Sequence, residues 1–525
     1  MLIAASGGEL WALAAALWER ACDRLSVDPA DPRLVTGLDV PIDEVDRLGI
    51  GGAPEGVDGI RWLGDRYLAS LPRSVRGATG RFYTPGGLAR VLVARAFERP
   101  LPTDGLIVDP ACGAGSLLGA ATEEIAARLP PDEAVWFVVR RLRGTELDPT
   151  AVALCELAVR TALLPSWARL PDARRPQLPR FATIADGLAD DRPAAMVIAN
   201  PPFGRCRPSS ELRAAHSSVL YGHAHWPTLF LHSAVRRLVP GGTAAFVLPA
   251  SLVGGAYYQR LREYLVDNAR PVWLGFVEGR TGVFTGDVLQ ESVLGAFVRG
   301  ASSARVAIEP IGGSDGRTSG VFSATISTGR GPWLVPREER DVSLVARAGN
   351  SRYRLRDYGW SVSTGPLVWN RHRDQLFAVG GHGRLPVVWS ADVCRGRVRL
   401  APERTLRYVE TRPGQEWLVL DAPAILVQRT TAPEQPRRIV AGLLDLETLR
   451  ALGGEVVVEN HLNVCTWDGS GPMTPPRLLA YLMGDEADRL YRCMTGSVAV
   501  SAFELSELPL PGFDSSPPTL VEQAA

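Results

Sequence analysis

The run Met196–Arg205, MVIANPPFGR, leaves a buried-looking strand through Asn200, Pro201, Pro202 and Phe203. Two prolines remove two backbone donors and fix φ, so neither a sheet ladder nor a helix continues through them. Asn200 and Phe203 are therefore presented at the end of a strand. Taken alone, the tetrapeptide reads equally well as a stiff turn. Three other strand ends give it company. LIVDPACGAGSLLGA sets Asp109, Ala111, Cys112, Gly113 and Gly115 between a strand and a helix, where glycine lets the backbone pass close to a ligand at the carboxyl edge of a parallel sheet. This Gly-x-Gly lacks the third glycine of the dinucleotide fingerprint, and a tight βα turn without a ligand has the same look. GTELDP puts Glu146 where a carboxylate can accept from both hydroxyls of a ribose, and ATIADGLAD puts Asp186 where it can accept from an adenine amino group. Each carboxylate alone is equally a solvated loop residue. A glycine loop, a ribose acceptor and an adenine acceptor at successive edges, with Asn-Pro-Pro-Phe at a fourth, together make a nucleoside site beside a rigid polar turn.

The elements that must position these residues alternate. After a mostly helical stretch to about residue 75, GATGRFYTPGGLARVLVARAF (77–97) gives a glycine-rich turn, Tyr83-Thr84-Pro85, and a helix with 3.6-residue apolar spacing. Short apolar strands and amphipathic helices then follow one another to TAAFVLPASLV, the rhythm of a doubly wound, Rossmann-like α/β sheet. The helix WPTLFLHSAVRRLVPGG is expected to end at its glycines. GGSDGRTSG (312–320) is turn-rich. The expected organisation is an N-terminal helical region (1–75), an α/β catalytic domain (76–310), a linker (311–344) and a mixed α+β domain (345–525) ending in a loose tail.

At 525 residues the chain exceeds one ordinary core. Its 46% hydrophobic and 22% charged residues are those of a globular protein. No apolar run is expected to span a bilayer, and the first residues read as an amphipathic helix without the basic start of a signal peptide, so a cytoplasmic location is the expectation. The seven cysteines (Cys22, Cys112, Cys155, Cys206, Cys394, Cys465 and Cys493) are scattered and include no Cys-x-x-Cys pair, which excludes a disulfide framework and a zinc ribbon. His223 and His225 have no matching cysteine or carboxylate, so no metal is expected. Net charge is zero, and all 57 basic residues are arginine. Any nucleic-acid surface must then be a local patch. Arginine suits bidentate phosphate and guanine contacts, but a bias spread along a whole chain reflects a GC-rich genome first.

The set GRFYTP, DPACGAG, TELDP, ADG and NPPF, in this order, resembles the γ-class N6-adenine DNA methyltransferases of restriction–modification systems. The resemblance runs from about 77 to 299 and takes in GTAAFVLPASLV and VFTGDVLQESVLGAFV. It implies S-adenosylmethionine as cofactor, held by Tyr83, Thr84 and Pro85 near the methionine end and by Asp109, Ala111, Cys112, Gly113 and Gly115 at the loop. Glu146 would take the ribose and Asp186 the adenine. It also implies double-stranded DNA as substrate, a flipped-out adenine as target, and a bacterial, nucleoid-associated enzyme paired with a restriction endonuclease. On that reading the Asn200 side-chain oxygen and the Pro201 carbonyl grip the amine hydrogens and free the nitrogen lone pair, Pro202 stiffens the turn, and Phe203 stacks on the base. The same tetrapeptide type serves glutamine and ribosomal-RNA methyltransferases. GRFYTP ahead of the loop and the long C-terminal region favour DNA. A modification subunit needing a separate specificity subunit, as in type I or phage-defence complexes, is the runner-up. An inactive DNA-binding module is the reading from another class.

In the C-terminal region STGPLVWNRHRDQL and ILVQRTTAPEQPRRIVAGLL offer Arg371, Arg373, Gln428 and Arg429 as base-reading candidates, against a plain solvated surface. VVVENHLNVCTW and TGSVAVSAFELSELPLP resemble target-recognition regions. The polar segment GRCRPSSELRAAHSSVLYGHAHWP (204–227) is expected as a mobile loop with Arg205 and Arg207 near phosphates.

Overall fold

A computed structural model describes residues 3–34, 53–72, 83–278, 291–326, 331–394, 396–400, 405–431, 435–496 and 499–512. Residues 80–82 of GRFYTP, 283–290 of the VFTGDVLQ stretch and the tail from 513 lie outside them. Two compact units divide the chain: Met1–Ala250 with Arg260–Ser323, and Ser251–Gln259 with Ala324–Ala525.

In the first unit, α1 (Ile3–Asp23), α2 (Gly56–Ser70) and α3 (Gly86–Ala96) lead into β1 (Leu106–Asp109), α4 (Ser116–Arg128), α5 (Pro131–Arg141), β2 (Leu142–Glu146), α6 (Pro149–Ala168), β3 (Ala182–Ile184) and β4 (Ala194–Ala199). A small pair, β5 (Arg205–Cys206) and β6 (Ala224–His225), brackets α7 (Ser210–Ala215) and precedes α8 (Trp226–Arg237). The unit continues with β7 (Leu238–Pro249), α9 (Gln259–Asn268), β8 (Ala269–Glu278), β9 (Ser292–Arg299), β10 (Arg305–Gly312) and β11 (Arg317–Thr318). The main sheet runs in the order β11-β10-β8-β9-β7-β4-β1-β2-β3. β3, β2, β1, β4 and β7 are mutually parallel, whereas β9 is antiparallel to both β7 and β8. The order reverses between β1 and β4, and open α/β sheets place ligands at that switch point, outside the carboxyl ends of the strands. Registers Asp109↔Gly144 and Glu146↔Ile184 bring three strand ends to that edge together.

α1 and α2 belong to this unit's core. Leu13, Leu17, Trp18, Ile60 and Leu63 are buried in one cluster with Leu117, Leu154 and Leu163, so the N-terminal helical region is continuous with the core of the α/β sheet. α6 is its central helix. By length and composition alone this 20-residue helix, with a stretch of mean hydropathy 1.3, could cross a membrane, but 83% of that stretch is buried inside the protein. Its Glu156 accepts from the Phe181 and Ala182 N–H groups at 2.7 Å each and pairs with Arg160 at 3.1 Å, pinning the start of β3.

Two boundary expectations are corrected. Residues 311–320 are no linker: β10 extends to Gly312 and pairs antiparallel with β11 through Ile311↔Thr318, because Val306, Ile308 and Ile311 are buried and hold the strand on the sheet. Glycine-rich turn chemistry marks a hairpin as readily as a linker. Likewise α8 ends at Arg237, and Gly241, at φ +77°, sits where the β4–β7 register shifts.

Among its described residues the second unit holds two sheets. One runs Trp360–Thr364, Leu462–Trp467, Ala424–Gln428, Ala441–Leu444, Gly396–Val398, Val393–Cys394. The other runs Leu376–Phe377, Tyr408–Glu410, Arg384–Val388, Val456–Val458, Val419–Leu420. The strip Ser251–Gln259 is bonded into this unit through Trp333 N–H to Val253 O at 2.9 Å. A Cβ on Gly254 would lie 2.0 Å from Met494 O, so only glycine passes there.

Candidate active site

A cleft opens at the carboxyl edge of β1, β2, β3 and β4. Of the residues singled out above, it gathers Tyr83, Ala111, Gly113, Glu146, Asp186, Asn200 and Pro202. Four separate strand ends therefore converge on one cavity.

Each edge is built by a local device. After β1 the chain turns through Gly113 (φ +50°) and Gly115 (φ +82°), with Cys112 N–H bonded to Thr145 O at 3.0 Å, tying the loop to β2. A Cβ on Gly113 would lie 2.7 Å from Tyr83 Cε1, so the missing side chain is what lets the tyrosine ring lie along the loop. Glu146 is fixed by three backbone donors: Leu147 (2.8 Å) and Asp148 (3.1 Å) on Oε1, and Gly113 (3.2 Å) on Oε2. Such a carboxylate is held in one orientation at the cleft's edge. Asp186 is exposed and gives one oxygen to Leu188 N–H at 3.0 Å, which caps the turn Gly187–Ala189. A Cβ on Gly187 would lie 1.9 Å from Pro110 O, so β1's loop and β3's turn touch backbone to backbone across the floor.

Other predicted residues support the cleft without lining it. Asp109 is buried and accepts from Ala111 N–H at 3.0 Å, which shapes the loop. Burial, with the nearby Glu146 charge, pushes its carboxyl up to about 8. Because that folded-state value lies above the unfolded one, Asp109 favours the folded chain fully below about pH 4 and loses that contribution as the pH rises to about 8. Asp109→Asn is expected to flatten the fall in Tm across this window, as read by thermal melts between pH 4 and 8. An unchanged slope would mean that Asp109 is ionised in the fold. The Cys112 side chain turns away from the cleft into the core: the Cys155 thiol and burial hold it protonated well above the usual thiol range. Its part in the loop is played by backbone. Gly115 abuts Cys155, where a Cβ would lie 2.8 Å from Cys155 Cα. Thr84 is buried and Pro85 precedes α3, so they set the direction of Tyr83. Pro201 is buried, and Phe203 is half-buried against the core cluster.

The cleft also takes in Pro110, Leu147, Ala151, Ala185, Gly187 and Phe230. Pro110, Leu147, Ala185 and Gly187 lie inside the motifs quoted above without a role assigned to them, and Ala151 and Phe230 lie outside those motifs. Leu147 is 61% exposed and Phe230 is buried, giving the cleft apolar walls. Gly187 had a visible signal, directly after Asp186. Phe230 had none, being one apolar residue on a helix.

The 204–227 segment, expected as a mobile loop, is folded. β5 and β6 pair through Arg205↔His225, Ser209 caps α7, and Leu220, Ala224 and Leu229 bury against Leu212 and Trp226. Those apolar residues, interspersed among polar ones, are what order it. Arg205 and Arg207 remain on its exposed side. In the second unit Arg371 and Arg373 are exposed, Arg429 is half-buried, and Gln428 is committed elsewhere. The Gln428 amide donates to Ser390 O (2.8 Å) and Val393 O (2.9 Å), and Arg429 donates to Asn460 O (2.6 Å). With both amide hydrogens used, Gln428 cannot make a bidentate base contact.

Comparison with known proteins follows the same edges. The N-6 DNA methylase family model matches residues 62–285. Type II methyltransferase M.BsuBI of Bacillus subtilis is 24% identical over 457 residues, 83% of this chain and 88% of that protein. That alignment necessarily reaches beyond residue 285. Type II methyltransferase M.PstI of Providencia stuartii is 22% identical over 342 residues, 60% of this chain and 64% of that one. A cryo-EM structure of a DrdV–DNA complex superposes with a TM-score of 0.50 at 13% identity, covering 84% of this chain and 55% of that one, a likeness of fold.

Proposed function

We propose, for a chain that belongs with the N-6 DNA methylases of restriction–modification systems, that it is a self-contained type II modification enzyme. It transfers a methyl group from S-adenosylmethionine to N6 of an adenine flipped out of double-stranded DNA and so protects host DNA from a partner nuclease. The observation that carries this reading is the convergence of Asn200 and Pro202 on the same cleft as Gly113, Glu146 and Asp186.

The residues fit the cofactor. Gly113 lets the Tyr83 ring and Gly187 lets the Pro110 backbone close on the cleft, Glu146 is an oriented acceptor for a ribose diol, Asp186 stands at the exposed rim for an amino group, and Leu147 and Phe230 offer apolar faces. When bound, S-adenosylmethionine supplies a methyl group already activated on a sulfonium. The chain then has only to bring the amine to it. The adenine amine is a poor nucleophile because its lone pair is delocalised into the ring. The Asn200 amide oxygen and the Pro201 carbonyl accept its two hydrogens and draw the nitrogen toward tetrahedral geometry. The prolines hold both acceptors without reorganisation, so positioning and fixed dipoles carry the catalysis. Arg205 and Arg207, exposed just after the turn, would meet phosphates, and Arg371, Arg373 and Arg429 are the base-reading candidates of the second unit.

Single-molecule sequencing of genomic DNA from a methylation-free bacterial host expressing this chain alone tests the reading. N6-methyladenine confined to one short motif is the expected result. No mark, with folded protein confirmed, would sink self-sufficiency and favour a modification subunit that requires a specificity partner.

A further inference from the structure

α2 presents three residues at helical spacing on one face: Arg61, Gly64 and Tyr67. Each meets a different part of the cleft's wall. Arg61 is buried, and its Nη2 donates to Ser116 O at 3.2 Å, at the first residue of α4 directly after the glycine loop. Its Nη1 bonds Asp58 at 2.5 Å, and Asp58 also pairs with Arg90 of α3 at 3.1 Å. Gly64 faces the loop itself, since a Cβ there would lie 2.7 Å from Ala114 Cβ and 3.2 Å from Tyr83 Cδ2. Tyr67 donates its hydroxyl to Asp148 Oδ2 at 2.7 Å. Asp148 caps α6 through Thr150 and Ala151 N–H, and its own N–H holds Glu146 Oε1 at 3.1 Å.

One helix, ahead of all the motifs in sequence, therefore touches the glycine loop, the Tyr83 ring and the segment that orients Glu146. We propose that α2 is the positioning element of the cofactor cleft: Arg61, Gly64 and Tyr67 set the spacing between the glycine loop and Glu146 before any ligand arrives. Its residues act through Ser116, Ala114 and Asp148. A helix that prearranges binding groups lowers the ordering cost paid on binding, so its loss appears first in cofactor affinity.

The inference rests on the cofactor reading above, and the experiment separates the two. Full-length wild type, Tyr67→Phe and Gly64→Ala are compared by calorimetric binding of the stable cofactor analogue sinefungin, by steady-state methylation of duplex DNA with varied S-adenosylmethionine, and by thermal melts. Tyr67→Phe keeps the ring and removes one hydrogen bond, for which a roughly three- to tenfold weaker Kd and higher KM are expected, with kcat at saturation and DNA affinity unchanged. Gly64→Ala, which drives a methyl into Ala114, is expected to weaken binding by more than about tenfold. Wild-type sinefungin affinity in both folded variants, or a fall in kcat with affinity unchanged, would overturn the proposal. Wild type that fails to bind sinefungin would overturn the cofactor reading, and this one with it.

Discussion

Asn200→Ala is expected to lower the methylation rate at saturating cofactor and DNA by on the order of 10²–10³-fold, the usual cost of removing one preorganised polar group from a reacting centre. Cofactor affinity and DNA affinity should stay close to wild type. The side chain stands at the end of β4, on the cleft but apart from the Gly113 and Glu146 contacts that shape the nucleoside region. The two prolines after it hold their geometry whatever the residue before them, so the variant removes the amide while the stiff turn persists. Asn200→Asp keeps an oxygen but adds a charge, and is expected to fall between alanine and wild type. Single-turnover transfer of a labelled methyl group reads the chemical step directly. Full activity in Asn200→Ala with both ligands bound would remove the amide from the chemistry.

Gly187→Ala should act on the other side of the reaction, weakening cofactor binding by about 100-fold or more while the fold survives. The added Cβ would lie 1.9 Å from Pro110 O and 2.7 Å from Thr145 Oγ1. Neither neighbour can yield cheaply. Pro110 lies between Asp109 and Ala111, which are locked by their own 3.0 Å hydrogen bond, and Thr145 sits inside β2 with its carbonyl bonded to Cys112. The Gly187 turn must move instead, and Asp186 moves with it. Overpacking of this kind costs ~1–3 kcal/mol in a well-packed site, occasionally more. Here the strain falls on the floor of the cleft. Calorimetric titration with sinefungin, beside a circular dichroism melt, distinguishes a distorted site from an unfolded chain. Wild-type affinity in a folded Gly187→Ala would show that the floor does not shape the site.

The cleft was legible at those points where chemistry is written locally. A strand, a glycine turn and a helix start fit within about fifteen residues, so Gly113, Glu146 and Asn200 could each be set at a strand end from the local pattern, and only the motifs taken together pointed to one site. What was not legible depends on residues distant in sequence. Nothing in RWLGDRYLAS says that Arg61 and Tyr67 reach Ser116 and Asp148, more than fifty residues on. Residue type also says nothing of prior engagements. Gln428 has the chemistry of a base reader, yet its donors are spent on Ser390 and Val393, and Cys112 sits in the glycine loop with its thiol turned inward. The misplaced linker has the same origin. Gly-Ser-Asp-Gly specifies a turn, and only the burial of Ile308 and Ile311 reveals that the strands on either side belong to the sheet.

The passage of Ser251–Gln259 into the second unit bears on inheritance. The C-terminal unit is not a cassette with one seam. A recombination breakpoint after Ser323 would import a foreign unit while leaving the native strip behind, with Gly254 shaped to the backbone of a Met494 that no longer exists. Such hybrids are expected to be poor unless the exchanged segment begins before Ser251 and carries α9 and β8–β10 along. Diversification of this half of the molecule should therefore proceed by substitutions at its exposed positions, with wholesale transfer confined to exchanges that start inside the catalytic sheet.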